Sequence, residues 1–193
     1  MDNSLVVKLR AMTGAGIVDC KKVLEETGGD LDKALDLLRK RGELKAAKKG
    51  ERVTRAGLVH AYVHANEQLG ALVEVLCETD FVGRNPEFRQ LVHDLAMQVA
   101  AANPLYLSPE DIPAEVLEKE KEFYLADVAG KPAAIAAKIM EGKLQKYYGE
   151  VCLLRQQFIK DEDITIEELI KQKIAVIGEN IVVKRFVRFA LGA

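Results

Sequence analysis

Leu58-Val59-His60-Ala61-Tyr62-Val63-His64-Ala65-Asn66-Glu67-Gln68-Leu69-Gly70-Ala71-Leu72-Val73-Glu74-Val75-Leu76-Cys77 is the stretch that decides the fold. Two runs rich in Val and Leu, 58–65 and 69–77, flank a polar triplet, which is the pattern of an antiparallel hairpin. The second run ends at Thr79-Asp80-Phe81-Val82, a polar turn with a Phe that the alternation does not ask to be buried. Asn85-Pro86 then supplies an N-cap and a first-turn proline, and Phe88, Leu91, Val92, Leu95, Ala96 and Val99 fall on one helical face. Hairpin and helix are therefore expected to share a core, with the Asp80-Phe81 turn at their junction.

Upstream, three short helical stripes follow one another: Leu5, Val6 and Leu9; Ile17, Cys20, Val23 and Leu24; Leu31, Ala34, Leu35 and Leu38. Gly14-Ala15-Gly16 and Gly28-Gly29-Asp30 punctuate them, and Asp30 is placed to cap the third helix. This predicts a compact bundle over 1–41, similar to the ubiquitin-associated fold. A bundle so small buries little surface, which makes its exposed apolar residues candidates for docking. The stretch 42–56 reads as a basic hinge or solvated helical linker: from Lys40 to Arg55 there are seven basic residues against Glu43 and Glu51.

Downstream, Ser108-Pro109, Ile112-Pro113 and Lys131-Pro132 each begin a helical segment, with Val116, Leu117 and Phe123 on one and Ile135, Ile139, Met140 and Leu144 inward on another. Thr165-Ile166-Glu167-Glu168 is a capping-box start, and Ile181 to Ala190 reads as a last strand. The fold class is thus α+β: the three-helix bundle, then a core over 57–193 of a small antiparallel sheet packed with helices. The segment from Ile177 to Phe189 is apolar on both strand faces, so a two-fold symmetric homodimer through this terminal strand or its sheet is expected.

A formal net charge of −2 argues against a dedicated nucleic-acid binder and favours a protein partner. No run approaches the ~18 apolar residues of a membrane span, and Met1-Asp2-Asn3-Ser4 opens without a signal-type pattern, so a cytoplasmic protein without membrane contact is expected. Cys20, Cys77 and Cys152 are odd in number and far apart, which suggests buried thiols and neither a disulfide framework nor zinc. Gly14-Ala15-Gly16 follows no strand and precedes no Gly-Lys-Ser/Thr, so it reads as a turn needing glycine for positive φ rather than as a phosphate loop. His60 and His64 share a strand face about 13 Å apart, too far to share a metal, and are expected to face solvent. No nucleophilic triad is suggested by spacing.

Cys77-Glu78-Thr79-Asp80-Phe81-Val82-Gly83-Arg84-Asn85 and Leu9-Arg10-Ala11-Met12-Thr13-Gly14-Ala15-Gly16-Ile17-Val18-Asp19-Cys20-Lys21-Lys22 resemble the two signatures of the elongation factor Ts family. A third string, from Gly130-Lys131-Pro132 through Met140-Glu141-Gly142-Lys143 to Gly149-Glu150-Val151, extends the resemblance over nearly the whole chain. The resemblance implies a guanine-nucleotide exchange factor acting on elongation factor Tu, not an enzyme that makes or breaks bonds, and without a cofactor of its own. It implies that Asp80 and Phe81 enter the partner beside its phosphate and Mg²⁺ site, that Thr79 and Val82 hold the turn, and that Arg10, Ile17 and Val18 dock on its nucleotide-binding domain. It also implies a short member with one core lobe, lacking the extra C-terminal helix of longer members. Two rivals come from other classes: a non-exchanging adaptor built on the bundle, and an RNA binder using Lys40 to Arg55.

Overall fold

The computed structural model describes residues 3–192. Its elements run α1 (Asn3–Thr13), α2 (Ile17–Glu26), α3 (Leu31–Ala47), β1 (Ala56–Val63), β2 (Leu69–Cys77), α4 (Asp80–Gly83) and α5 (Pro86–Ala102). A 3-10 turn (Pro109–Asp111), α6 (Ala114–Val128), α7 (Ala133–Val151), a second 3-10 turn (Leu153–Arg155), β3 (Gln157–Phe158), β4 (Asp161–Thr165), α8 (Ile166–Ile177) and β5 (Ile181–Ala190) complete it. The architecture is α+β, with a three-stranded sheet in the order β1-β2-β5 and a separate β3-β4 pair.

The chain forms two compact units. The first takes the chain up to His60 together with Glu74–His93 and Glu168–Lys184; the second takes Ala61–Val73, Asp94–Glu167 and the chain from Arg185 on. The strands of the sheet and α5 run from one unit into the other, so neither is a continuous stretch of sequence.

In the first unit, Val6, Leu9, Cys20, Val23, Leu24 and Ala34 close a core between α1, α2 and α3, with Leu5, Leu31, Leu35 and Leu38 against it. Asp30 caps α3 as expected, accepting the Lys33 N–H at 3.1 Å, and Gly14 takes the positive φ (67°) that ends α1. Two details depart from the periodicity. Ile17, at the first residue of α2, lies outside the core and is exposed. Helix α3 runs on to Ala47, carrying into the expected linker a turn and a half whose Gly42 backs onto Ala175 and whose Ala46 is buried.

Strand β2 is the middle of the sheet, and Ala71, Val73, Val75 and Cys77 along one face are all buried. The six apolar positions read from the α5 sequence are buried without exception. Asn85 Oδ1 accepts the Glu87 N–H at 2.8 Å, closing the expected cap. In the second unit, Arg188 of β5 donates to the Ala100 carbonyl of α5 at 2.9 Å, and the Leu191 N–H donates to the Gln68 carbonyl at 2.8 Å, which runs β5 antiparallel to β2. The buried Gln98 amide is satisfied there by Gln156, the Gln157 carbonyl and the Ile159 N–H.

Helices α6 and α7 pair with each other, and neither has a fully buried residue. Ile135, expected to face inward, is exposed, as is Phe123 of α6 at 75%. The reason is that a two-helix hairpin offers one seam, which Tyr124, Asp127 and Lys143 partly fill with an ion pair and a cation-π contact. The Ser108 segment yields only a 3-10 turn, capped by Asp111. The β3-β4 pair was not anticipated, because Lys160-Asp161-Glu162-Asp163 shows no apolar alternation.

His60 is a correction. It does not face solvent: it is half-buried against α5, with Nε2 3.1 Å from Nδ1 of His93 and the rings edge to face at 5.2 Å. Burial lowers its pKa below the ordinary 6.5, and His93 and Arg89 push the same way. The exposed His64 instead meets the Tyr62 hydroxyl at 3.0 Å.

Two stability predictions follow from this packing. Gly57 sits at φ 142°, where an added Cβ would lie 2.2 Å from the Val75 carbonyl oxygen, so Gly57→Ala should cost about 3 kcal/mol. Urea unfolding checks it, and an unchanged midpoint would contradict the close approach of β1 to β2. Because His60 protonates more readily in the unfolded chain, its contribution is fully present above pH 6.5 and is lost as pH falls through the lower folded value. The urea midpoint should therefore fall between about pH 7.5 and about pH 5.5, and less steeply in His60→Phe. Equal slopes would remove His60 as the cause.

Candidate functional site

Thr79, Asp80, Phe81 and Val82 do not form an open turn but begin α4, a single helical turn. Thr79 is its N-cap, in extended backbone (φ −127°, ψ 155°), and its Oγ1 accepts the Val82 N–H at 3.4 Å. Val82 points inward and is buried, and Gly83 lies against the backbone of Gly57, where a Cβ would meet the Gly57 carbonyl oxygen at 3.5 Å. With those two facing the core, the helical rotation turns Phe81 outward, 80% exposed. This is not the environment of a core phenylalanine. Asp80 stands beside it, paired with Arg84 one turn on at 2.9 Å, both side chains exposed. Such a pair is worth at most about 1 kcal/mol and leaves Asp80 accessible to a competing partner.

What holds this turn was not legible in the sequence. Glu179, in the loop between α8 and β5, accepts the N–H groups of Glu78 and Thr79 at 3.0 Å each, and its other oxygen accepts the Thr79 hydroxyl at 2.6 Å. The arrangement is reciprocal: Glu78 accepts the N–H of Asn180 at 2.7 Å. Cys77 donates its thiol to the Thr79 carbonyl at 3.1 Å, and burial raises its pKa above 9.0, with Glu179 adding to the shift, so it is a weak nucleophile. The buried Cys152 is pushed up to about 11 by burial, and Cys20 is raised for the same reason. No sequence-local pattern connects residue 78 with residue 179; a Gly-Glu-Asn turn before a strand was the one available signal.

Arg10, Ile17 and Val18 lie in the same unit as α4. All three are exposed, at the end of α1 and the start of α2, on either side of the Gly14-Ala15-Gly16 turn, and Met12 beside them is exposed too. A basic and apolar cluster of this kind on a small bundle suits a protein surface rather than a phosphate.

The basic stretch is differently occupied. Arg41 pairs with Glu26, Lys45 with Asp19 at 2.9 Å, and Arg52 with Glu78 at 3.6 Å, while Lys49 donates to the Gly178 carbonyl. Burial lowers the Lys49 pKa. Four of the seven cations thus have intramolecular partners, which weakens the case for phosphate neutralisation. Among the described residues no group of three or more His, Cys, Asp or Glu is placed to hold a metal ion, and no helix is long and apolar enough to cross a membrane.

In the second unit, Val63, Leu72, Val187 and Phe189 are exposed on β1, β2 and β5. Phe189 is 68% exposed. Their alternation with the residues facing α5 puts them on the other side of the sheet.

Comparison with known proteins points to the same family as the sequence resemblance. The family model described as Elongation factor TS matches residues 19–193. Elongation factor Ts of Thermotoga petrophila is 54% identical over 188 residues, 97% of this chain and 94% of that protein. The same factor of Coprothermobacter proteolyticus is 54% identical over 191 residues, covering 98% and 97%, and that of Carboxydothermus hydrogenoformans 51% over 192, covering 98% and 88%. Identity at this level over nearly the whole chain makes this chain a member of the elongation factor Ts family of translation elongation factors.

Proposed function

We propose that the chain is a guanine-nucleotide exchange factor for elongation factor Tu in the cytoplasm: it binds the GDP form, disturbs the Mg²⁺ and phosphate site, and releases GDP so that GTP can enter. The observation that carries this reading is Phe81, a large apolar ring held out in water on a clamped helical turn next to an accessible carboxylate. No bond is made or broken and no cofactor of its own is needed. The work is differential binding. A wedge that prefers the nucleotide-free partner weakens the nucleotide by the same coupling free energy with which the nucleotide opposes the wedge. Asp80 and Phe81 form the wedge, Thr79 and Val82 hold it, and Arg10, Ile17 and Val18 dock.

Magnitudes show that the wedge does not act alone. Each decade of faster release needs ~1.4 kcal/mol, so four decades need roughly 5.5, against about 1.5 to 3 for burying one Phe. The bundle and the rest of the chain supply the difference.

The outer sheet face of the second unit supports an isologous homodimer, since Val63, Leu72, Val187 and Phe189 are apolar and exposed together. A second copy of the chain covers them in this reading, through an interface of at least ~1,000 Å².

Release of fluorescent GDP from elongation factor Tu tests the exchange. Wild type should accelerate it, and Phe81→Ala should lower the acceleration by one to two decades, on the order of 2 kcal/mol, while its unfolding midpoint stays within about 0.5 kcal/mol of wild type. No acceleration by wild type would leave the adaptor or RNA-binding alternatives. Light scattering at micromolar concentration tests the dimer. Wild type should weigh twice 21.3 kDa and Val187→Asp should be monomeric; a wild-type monomer would overturn the second copy as occupant of that face.

A further inference from the structure

The loop Gly178-Glu179-Asn180 makes polar contacts with two other segments of the first unit. On one side Glu179 holds Glu78 and Thr79 at the root of α4, and the Asn180 N–H returns a bond to Glu78. On the other, Asn180 Nδ2 donates to the carbonyls of Gly50 at 3.2 Å and Arg52 at 2.9 Å, and Lys49 donates to the Gly178 carbonyl. These last groups lie where the chain leaves α3. Asn180 is itself buried. The loop therefore joins the exit of the three-helix bundle to the turn that carries Phe81, although 100 residues separate Thr79 from Glu179.

We infer that Glu179 is a positioning residue for nucleotide release: it fixes the direction of Phe81 relative to the docked bundle and does not itself touch the partner's nucleotide. The inference rests on the exchange reading above. Its chemistry is specific. One oxygen of Glu179 accepts two consecutive backbone N–H groups, that of the N-cap residue Thr79 and that of Glu78 before it, and the other takes the N-cap hydroxyl. Removing the carboxylate frees the Thr79 backbone and with it the Phe81 azimuth. Docking through Arg10, Ile17 and Val18 is untouched, because α1 and α2 keep their own core. The defect thus belongs in the maximal rate and not in the concentration needed to reach half of it.

Glu179→Gln separates positioning from charge. Its amide oxygen can accept the same two N–H groups, and its NH₂ can donate to Thr79 Oγ1 once the hydroxyl rotates, so geometry survives while the charge is lost.

The experiment measures release of fluorescent GDP from elongation factor Tu across a concentration series of full-length wild type, Glu179→Ala and Glu179→Gln. Glu179→Ala should lower the maximal rate roughly tenfold or more, with the half-saturating concentration within about twofold, and Glu179→Gln should stay within about threefold of wild type. Independently of any partner, amide hydrogen exchange at Glu78 and Thr79 should be slow in wild type and Glu179→Gln and fast in Glu179→Ala. A wild-type maximal rate in Glu179→Ala overturns the inference, as does an equal loss in both variants, which would make the charge the agent. A raised half-saturating concentration with an unchanged maximum would also overturn it, by making Glu179 a docking residue. If circular dichroism shows Glu179→Ala unfolded, Thr79→Val, which removes the hydroxyl bond to Glu179 and the cap to Val82, takes its place with the same split expected. A wild-type chain that leaves GDP release unchanged overturns the exchange reading and this inference with it, whereas the hydrogen-exchange arm still tests the clasp alone.

Discussion

Backbone N–H groups that leave a strand must find new acceptors, and in the first unit those of Glu78 and Thr79, between β2 and α4, find one carboxylate oxygen, that of Glu179. Much of the unit's geometry is arranged around that requirement. Glu179 reaches them because Gly178 takes φ 93° after α8 and because Asn180 is anchored to the carbonyls of Gly50 and Arg52. Those carbonyls are in place because α3 continues to Ala47 and its last turn leads into Lys49, which is itself bonded back to Gly178. The result is a closed circuit of hydrogen bonds between the exit of the bundle, the loop before β5 and the turn after β2. The bonds of Glu78 and Asn180 in this circuit are partly shielded from water, whereas those of Thr79 are exposed, so losing an acceptor costs more at the former than at the latter.

The parts of this architecture that were legible in the sequence are those set by local chemistry. The β1-β2 hairpin, the inward face of α5, the Asn85-Pro86 start and the Asp30 cap depend on spacing within a few residues, and each is present. Strand β5 has the bounds expected of it, Ile181–Ala190. What was not legible depends on which distant segment arrives. His60 occupies a strand position that would face water in an isolated hairpin; α5 brings His93 over it and half-buries it. Ile135 has the spacing of an inward residue, but a helix pair has one seam, and it falls off it. The exposure of Phe81 was marked by its four-residue setting, whereas the glutamate that controls its backbone was not.

The same distinction applies to charge. Read as a string, Lys40 to Arg55 is a basic run; in the fold Arg41, Lys45 and Arg52 each meet a carboxylate of the first unit and Lys49 caps a carbonyl. Exposed pairs such as Lys45–Asp19 add only about 0 to 1 kcal/mol each. Their effect is more on what the surface can attract than on stability. A cation already beside a carboxylate releases few counterions on meeting a phosphate, so the stretch supports the attachment of the bundle better than it supports nucleic-acid binding.

Rigidity at α4 decides whether an exposed phenylalanine can act at all. Fixing one residue's backbone costs roughly 1 to 2 kcal/mol, so ordering the four residues 79–82 at the moment of contact would cost about 4 to 8. Burying the Phe81 ring returns about 1.5 to 3. A flexible turn carrying the same ring would therefore bind its partner site unfavourably, however well the ring fitted. Here the ordering is completed during folding, by the Thr79 cap, the buried Val82, the backbone contact of Gly83 with Gly57 and the Glu179 carboxylate. The cost is then carried by the stability of the first unit, and the gain from the ring remains available to the encounter with a partner.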